Sequence, residues 1–215
     1  MLLAEFILLF IAVPTTVALI EMPFHLVFLP MFFVFIYAVW KTIQSGNVNW
    51  SMIWSGEQPE QEKQQFKIIL FRFPILAFLL LALIKIYYPD NFLNFPQQYP
   101  VFFILFIVLY PLLSVIPQEF LYRTFFFKRY RVFFKQPLLM VVASTIVFSY
   151  LHIIFHNIES VLLTLIGGYL FSQTYRVSGS LRLVTLEHSL YGLLVFTLGM
   201  GEYFIRGLKA VGISL

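Results

Sequence analysis

VFFILFIVLYPLLSVIPQEFLYRTFFFKRYR, residues 101–131, is the stretch whose reading decides the fold. Val101 to Ile116 is apolar on every face of a helix and carries no charge. Such a segment is at home in lipid rather than in a soluble core. Glu119 and Arg123 then appear four residues apart, and the run ends in Lys128, Arg129 and Arg131. Basic residues that close an apolar run mark a membrane boundary. Glu119 and Arg123 therefore stand between hydrocarbon and headgroup, where an ionisable side chain is expensive unless paired and is a functional-site candidate.

The rest of the chain agrees with a membrane reading. Of 215 residues, 60% are hydrophobic and 11% charged, and 27 are Phe; the mean hydropathy is +0.88. A soluble domain carries about 25% charged residues, so the class is an integral membrane protein, bathed in lipid. There is no cysteine, which removes disulfides and thiolate chemistry. A net charge of +4 gives no sign of a nucleic-acid partner. The beginning, MLLAEFILLFIAVPTTVALI, lacks the basic region of a secretory signal and reads as a retained first span.

Helices of about 20 apolar residues cross a bilayer, and several stretches approach that length. They are Leu2 to Ile20, Pro23 to Trp40 after a turn at Glu21-Met22-Pro23, Phe66 to Tyr88, Val101 to Ile116, Leu138 to Phe155, Ser160 to Tyr175 and Leu181 to Leu198. Arg72 and Lys85 fall near the ends of the third and are expected to snorkel. The organisation is N-terminal transmembrane helices over 1–99 with a polar loop at 41–65, a core over 100–200, and a tail over 201–215. Pro117 suits the first turn of a new helix, so the sequence predicts a separate piece from Gln118 to about Phe134, with Pro137 opening the next helix. The fold class is all-α, a polytopic bundle of seven or eight helices. Lys128, Arg129, Arg131 and Lys135 share a side with Arg176 and Arg182, expected to be cytoplasmic. Eight helices place Lys41, Lys63 and Lys67 on the opposite side, and seven place them on the same one.

Inside the spans the ionisable residues are Glu119, Arg123, His152, His156, Glu159, Glu187 and His188. Glu119 lies 17 residues before Gln136 and His152 lies 16 after it, so an antiparallel hairpin sets both about 25 Å from its turn. His188 is only about 10 Å into its own helix and is expected to be shallower. Each residue also has a plain reading. Glu119 and Arg123 at i,i+4 form a neutralising ion pair, a lone His bonds two helices together, and His156 and Glu159 are interfacial. The combination is less plain, because a carboxylate and two imidazoles in a dry site can move protons.

QEFLYR (118–123), FSYLH (148–152) and the histidine of EHSLYG (187–192) together resemble the three signatures of the CAAX-protease and bacteriocin-processing family of intramembrane glutamic proteases. That family shows EExxxR, FxxxH, and a histidine followed four residues later by Asn or Asp. Glu119 and Arg123 match the second acid and the arginine, Phe148 and His152 the second motif, and His188 the third. Gln118 stands where the family carries its first glutamate, and Gly192 where it carries Asn or Asp. Either Glu119 serves as base in a shifted site, or activity is weak or lost; Asn157 or Tyr191 would be a replacement donor for the oxyanion.

The resemblance implies an intramembrane endopeptidase acting on a membrane-associated protein or peptide, prenylated or unprenylated, with membrane lipid as surroundings and a prokaryotic inner (plasma) membrane as location. Glu119 would take a proton from the attacking water, His152 would orient that water, His188 would donate to the oxyanion, and Arg123 would hold Glu119. No cofactor is needed on this scheme. One carboxylate and two histidines are also a zinc set with an open position. A non-enzymatic alternative is a membrane scaffold or bacteriocin-immunity protein. A transporter is disfavoured, since no inverted repeat or matching pair of broken helices is visible.

Overall fold

The computed structural model describes residues 1–20, 24–46 and 48–204. Its long helices are α1 (Leu2–Leu19), α2 (Phe24–Gln44), α3 (Pro59–Tyr87), α4 (Pro100–Arg129), α5 (Pro137–Phe155), α6 (Ile158–Ser178) and α7 (Leu181–Leu198). Short helices at Trp50–Ser55 and Asn94–Gln98 join them, and no strand occurs among the described residues. The fold is an all-α bundle. The turn expected at Glu21-Met22-Pro23 and nearly all of the C-terminal tail lie outside the described residues.

The opening stretch does not divide at Pro117. Pro111 and Pro117 each lack an N–H, and each ring crowds the carbonyl four residues back. The chain absorbs this in wider π-helical turns at Pro111–Val115 and Phe120–Phe125 and continues as one 30-residue helix. In lipid such local widening re-satisfies freed backbone groups at less cost than a broken helix. The separate helix expected from Gln118 is therefore the second half of α4, which ends at Arg129 rather than Phe134. Seven long helices result among the described residues.

The helix count settles the sidedness. Arg129 at the end of α4 donates to Glu5 near the start of α1 at 2.7 Å, and Tyr130 and Tyr37 donate to the same carboxylate at 3.0 Å each. At the same end of the bundle Arg182 donates to Glu62 at 2.6 Å. Lys41, Lys63 and Lys67 thus share an end with Lys128, Arg129, Arg131, Lys135, Arg176 and Arg182.

Among the described residues five segments are long and apolar enough to span a membrane: α1, Trp50–Tyr87, α4, α5 and α7. In α2 the apolar stretch is the shorter Leu29–Gln44. Helix α6, expected as a span over 160–175, does not qualify by composition. It buries Ser160, Thr164, Gly168, Ser172, Thr174 and Ser178 instead, packing against α3, α5 and α7. Small side chains let helix backbones approach closely where lipid supplies no hydrophobic drive. The polar stretch at 41–65 is also largely helical, since α2 runs to Gln44 and α3 starts at Pro59.

The hairpins are set by ordinary caps. Asn157 accepts from Ser160 N at 2.8 Å to start α6, and Gly179 ends it in the left-handed region at φ 62°. Ser180 then starts α7, its Oγ accepting from Leu183 N at 3.2 Å.

Candidate active site

Glu119 is fully buried in α4, and two partners divide its carboxylate. His188 Nδ1 lies 2.7 Å from Oε1, and Arg123 Nε lies 3.2 Å from Oε2. The i,i+4 spacing puts Arg123 one turn along the same face, where it too is fully buried. A buried guanidinium has five donors to satisfy. Arg123 donates to Ser144 Oγ at 2.9 Å, Tyr122 O at 3.3 Å and Gly168 O at 3.5 Å, and it lies 4.8 Å over the Phe148 ring. One side chain thereby ties α4 to α5 and α6.

His188 is wedged between rings. It stacks on Phe171 at 4.6 Å and meets Phe148 and Tyr110 edge-on at 5.6 and 6.1 Å. His152 sits where α5 tightens into a 3-10 turn, with Nδ1 2.8 Å from Phe148 O. A carbonyl oxygen only accepts, so Nδ1 carries the proton, and in the neutral ring Nε2 keeps its lone pair.

Glu119 is brought to His188 and Arg123, whereas the expected equal-depth pairing was with His152. The reason is the early end of α4. Glu119 is about 15 Å from Arg129, His188 about 10 Å from Leu181, and His152 about 22 Å from Pro137 at the usual rise. His152 is thus the deepest of the three, and His188 is nearly level with Glu119.

A cavity of about 580 Å³ opens beside this cluster. Its polar lining comes from Tyr110, Ser114, Gln118, His152, Thr164, His188 and Tyr191, and the rest is mainly Phe, Leu and Val. Glu119 and Arg123 do not line it and stand behind His188. Gln118 does line it: Nε2 donates to Ser114 Oγ at 2.8 Å, and the buried Oε1 has no hydrogen-bond partner. Gly192 also faces the cavity, and a Cβ built there would collide with Tyr110 Oη.

The other candidates fall elsewhere. Glu187 is fully buried and pairs with Arg72, so Arg72 reaches inward between α3 and α7 rather than snorkelling. His156 is exposed beyond the end of α5, and Glu159 occupies the first turn of α6. Asn157 caps α6 and donates to Tyr203 O at 2.8 Å, away from the cavity lining. Among the described residues no group of three His, Cys, Asp or Glu side chains is placed to hold a metal. Sequence reasoning missed Tyr110, whose only local signal is the following proline, and Phe171, which carries no local signal.

No curated protein and no solved structure matches the chain. A family model described as type II CAAX prenyl endopeptidase Rce1-like matches residues 100–194. The match runs from the start of α4 into α7 and takes in Glu119, Arg123, His152 and His188. Over residues 100–194 the chain is therefore similar to the Rce1-like group of CAAX-type membrane proteases, in keeping with the family its three motifs resemble.

Proposed function

We propose that the cavity hydrolyses a peptide bond of a membrane-anchored protein or peptide, with His152 as the base. The observation that carries this is the Nδ1 bond of His152 to Phe148 O, which leaves Nε2 as a proton acceptor in the cavity wall. Gln118, an amide, cannot take up a proton usefully, and Glu119 stands behind the wall, its Oε1 bonded to His188 and its Oε2 ion-paired with Arg123 without a hydrogen bond.

In this reading a water bonded to Nε2 of His152 attacks the carbonyl carbon, and its proton passes to Nε2. The oxygen that gains charge is met by Nε2–H of His188 in its doubly protonated form. Collapse of the tetrahedral species breaks the C–N bond, and His152 returns its proton to the leaving amine. Glu119 is a positioning residue that fixes the His188 ring through Nδ1, and Arg123 fixes Glu119. The apolar lining excludes bulk water and receives the lipid-like part of the substrate.

A second reading, peptide binding without hydrolysis, is favoured by Gln118, whose amide hydrogen-bonds but moves no proton. Purified protein in lipid nanodiscs, given membrane-anchored peptides with prenyl and with other anchors, separates the two. Hydrolysis requires cleavage by the wild type and its loss in His152→Ala. Binding without cleavage supports the second reading.

A further inference from the structure

Gly192 and Tyr110 are complementary. Gly192 lies one turn beyond His188 on the same face of α7 and lines the same cavity. Any side chain at 192 would enter space that Tyr110 already holds, since a Cβ there would lie 2.6 Å from Tyr110 Cε1 and Cζ and would overlap Oη. The phenol hydroxyl thus fills the position from which a residue at 192 would address the cavity. The ring is held on several sides: stacked on Phe106 at 4.8 Å, edge-on to His188 at 6.1 Å, and 5.9 Å from Phe196.

We infer that Tyr110 Oη donates the hydrogen bond to the substrate carbonyl that the glycine at 192 cannot, reaching across from α4 to complete with His188 a two-donor site. This rests on the proposed cavity as the peptide-binding site, though not on hydrolysis. A hydroxyl is a donor as well as an acceptor, and one aimed at a developing oxyanion from a fixed ring needs little reorganisation during reaction. The ring also explains why a glycine is needed at 192: with Tyr110 in place, larger residues do not fit.

The test uses the full chain in nanodiscs with two lipid-anchored, uncleavable peptides, one presenting a ketone and the other a methylene at the same position. Wild type is expected to prefer the ketone. Tyr110→Phe keeps the ring and its packing, and is expected to weaken ketone binding about three- to tenfold while leaving the methylene peptide unaffected. With a cleavable peptide, kcat should fall about a hundredfold or more with little change in KM. Tyr110→Ala with Gly192→Asn removes the clash and returns a donor, so it should recover at least tenfold of what Tyr110→Ala alone loses. Gly192→Asn alone should be impaired, because the ring blocks it.

Equal ketone preference in wild type and Tyr110→Phe, or no preference in wild type, overturns the inference. So does a double variant no better than Tyr110→Ala. If wild type hydrolyses nothing yet discriminates the ketone through Tyr110, the hydrolytic reading fails and this contact stands.

Discussion

Gln118 and Glu119 are neighbours in sequence and opposites in the site. Successive helix positions differ by about 100° in direction, so one lines the cavity while the other turns into the protein. The shared carboxylate of Glu119 explains why Arg123 tolerates full burial. Removing one partner of a buried ion pair leaves an uncompensated charge and costs about 3–5 kcal/mol. Arg123→Ala is therefore expected to lower the unfolding midpoint in detergent sharply, and a midpoint within a degree or two of wild type would contradict the pairing. Gln118→Glu has the opposite direction. It places a carboxylate at the cavity wall beside His152 and His188, and should raise kcat for the membrane-anchored peptide at least tenfold. Unchanged or lower turnover with intact binding would show that this position takes no part in water activation.

At the scale of helices, the apolar runs, the basic closing cluster and the capping residues were legible because each is local. Asn157, Gly179 and Ser180 act within a turn of their own positions. The continuity of α4 was not legible. Pro117 is a good helix starter by local rules, and the π turns that let α4 pass it depend on the lipid surroundings and on packing. The misplaced depth of Glu119 came from the other end of the helix, which closes at Arg129 rather than Phe134. Tyr110 was invisible for a related reason, since its importance arises where α4 meets Gly192 of α7. Ser180 offers a test confined to an element: its Oγ caps α7 and donates to Glu62 Oε1 at 2.6 Å, far from the cavity lining. Ser180→Ala should cost about 0.5–2 kcal/mol and leave kcat of the folded protein unchanged. A selective loss of kcat without loss of stability would place Ser180 in the catalytic machinery.

For the whole molecule, the composition fixed the membrane class, and the order of the three motifs pointed to the family. The sequence left seven and eight helices open, and with them the side of Lys41, Lys63 and Lys67. The structure gathers those lysines with the basic ends of α4, α6 and α7, and by the excess of Lys and Arg that end is the one expected to face the cytoplasm. Because the protein contains no cysteine, single cysteines report sidedness without background. In intact cells Asp90→Cys is expected to react with a membrane-impermeant maleimide, and Lys135→Cys only after the membrane is opened. The reverse pattern would invert the bundle, and equal labelling of both would contradict a spanning arrangement.

The central claim is that His152, rather than a glutamate, activates water in this cavity. Its most direct test is the turnover of one membrane-anchored peptide by wild type, His152→Ala and Glu119→Gln, each shown to be folded and to bind the peptide. The expected result is cleavage by wild type, a loss of about 10²–10⁴-fold in kcat for His152→Ala, and a smaller loss for Glu119→Gln, whose amide oxygen still accepts from His188. Cleavage by His152→Ala at the wild-type rate, or a Glu119→Gln variant more damaged than His152→Ala, would contradict it.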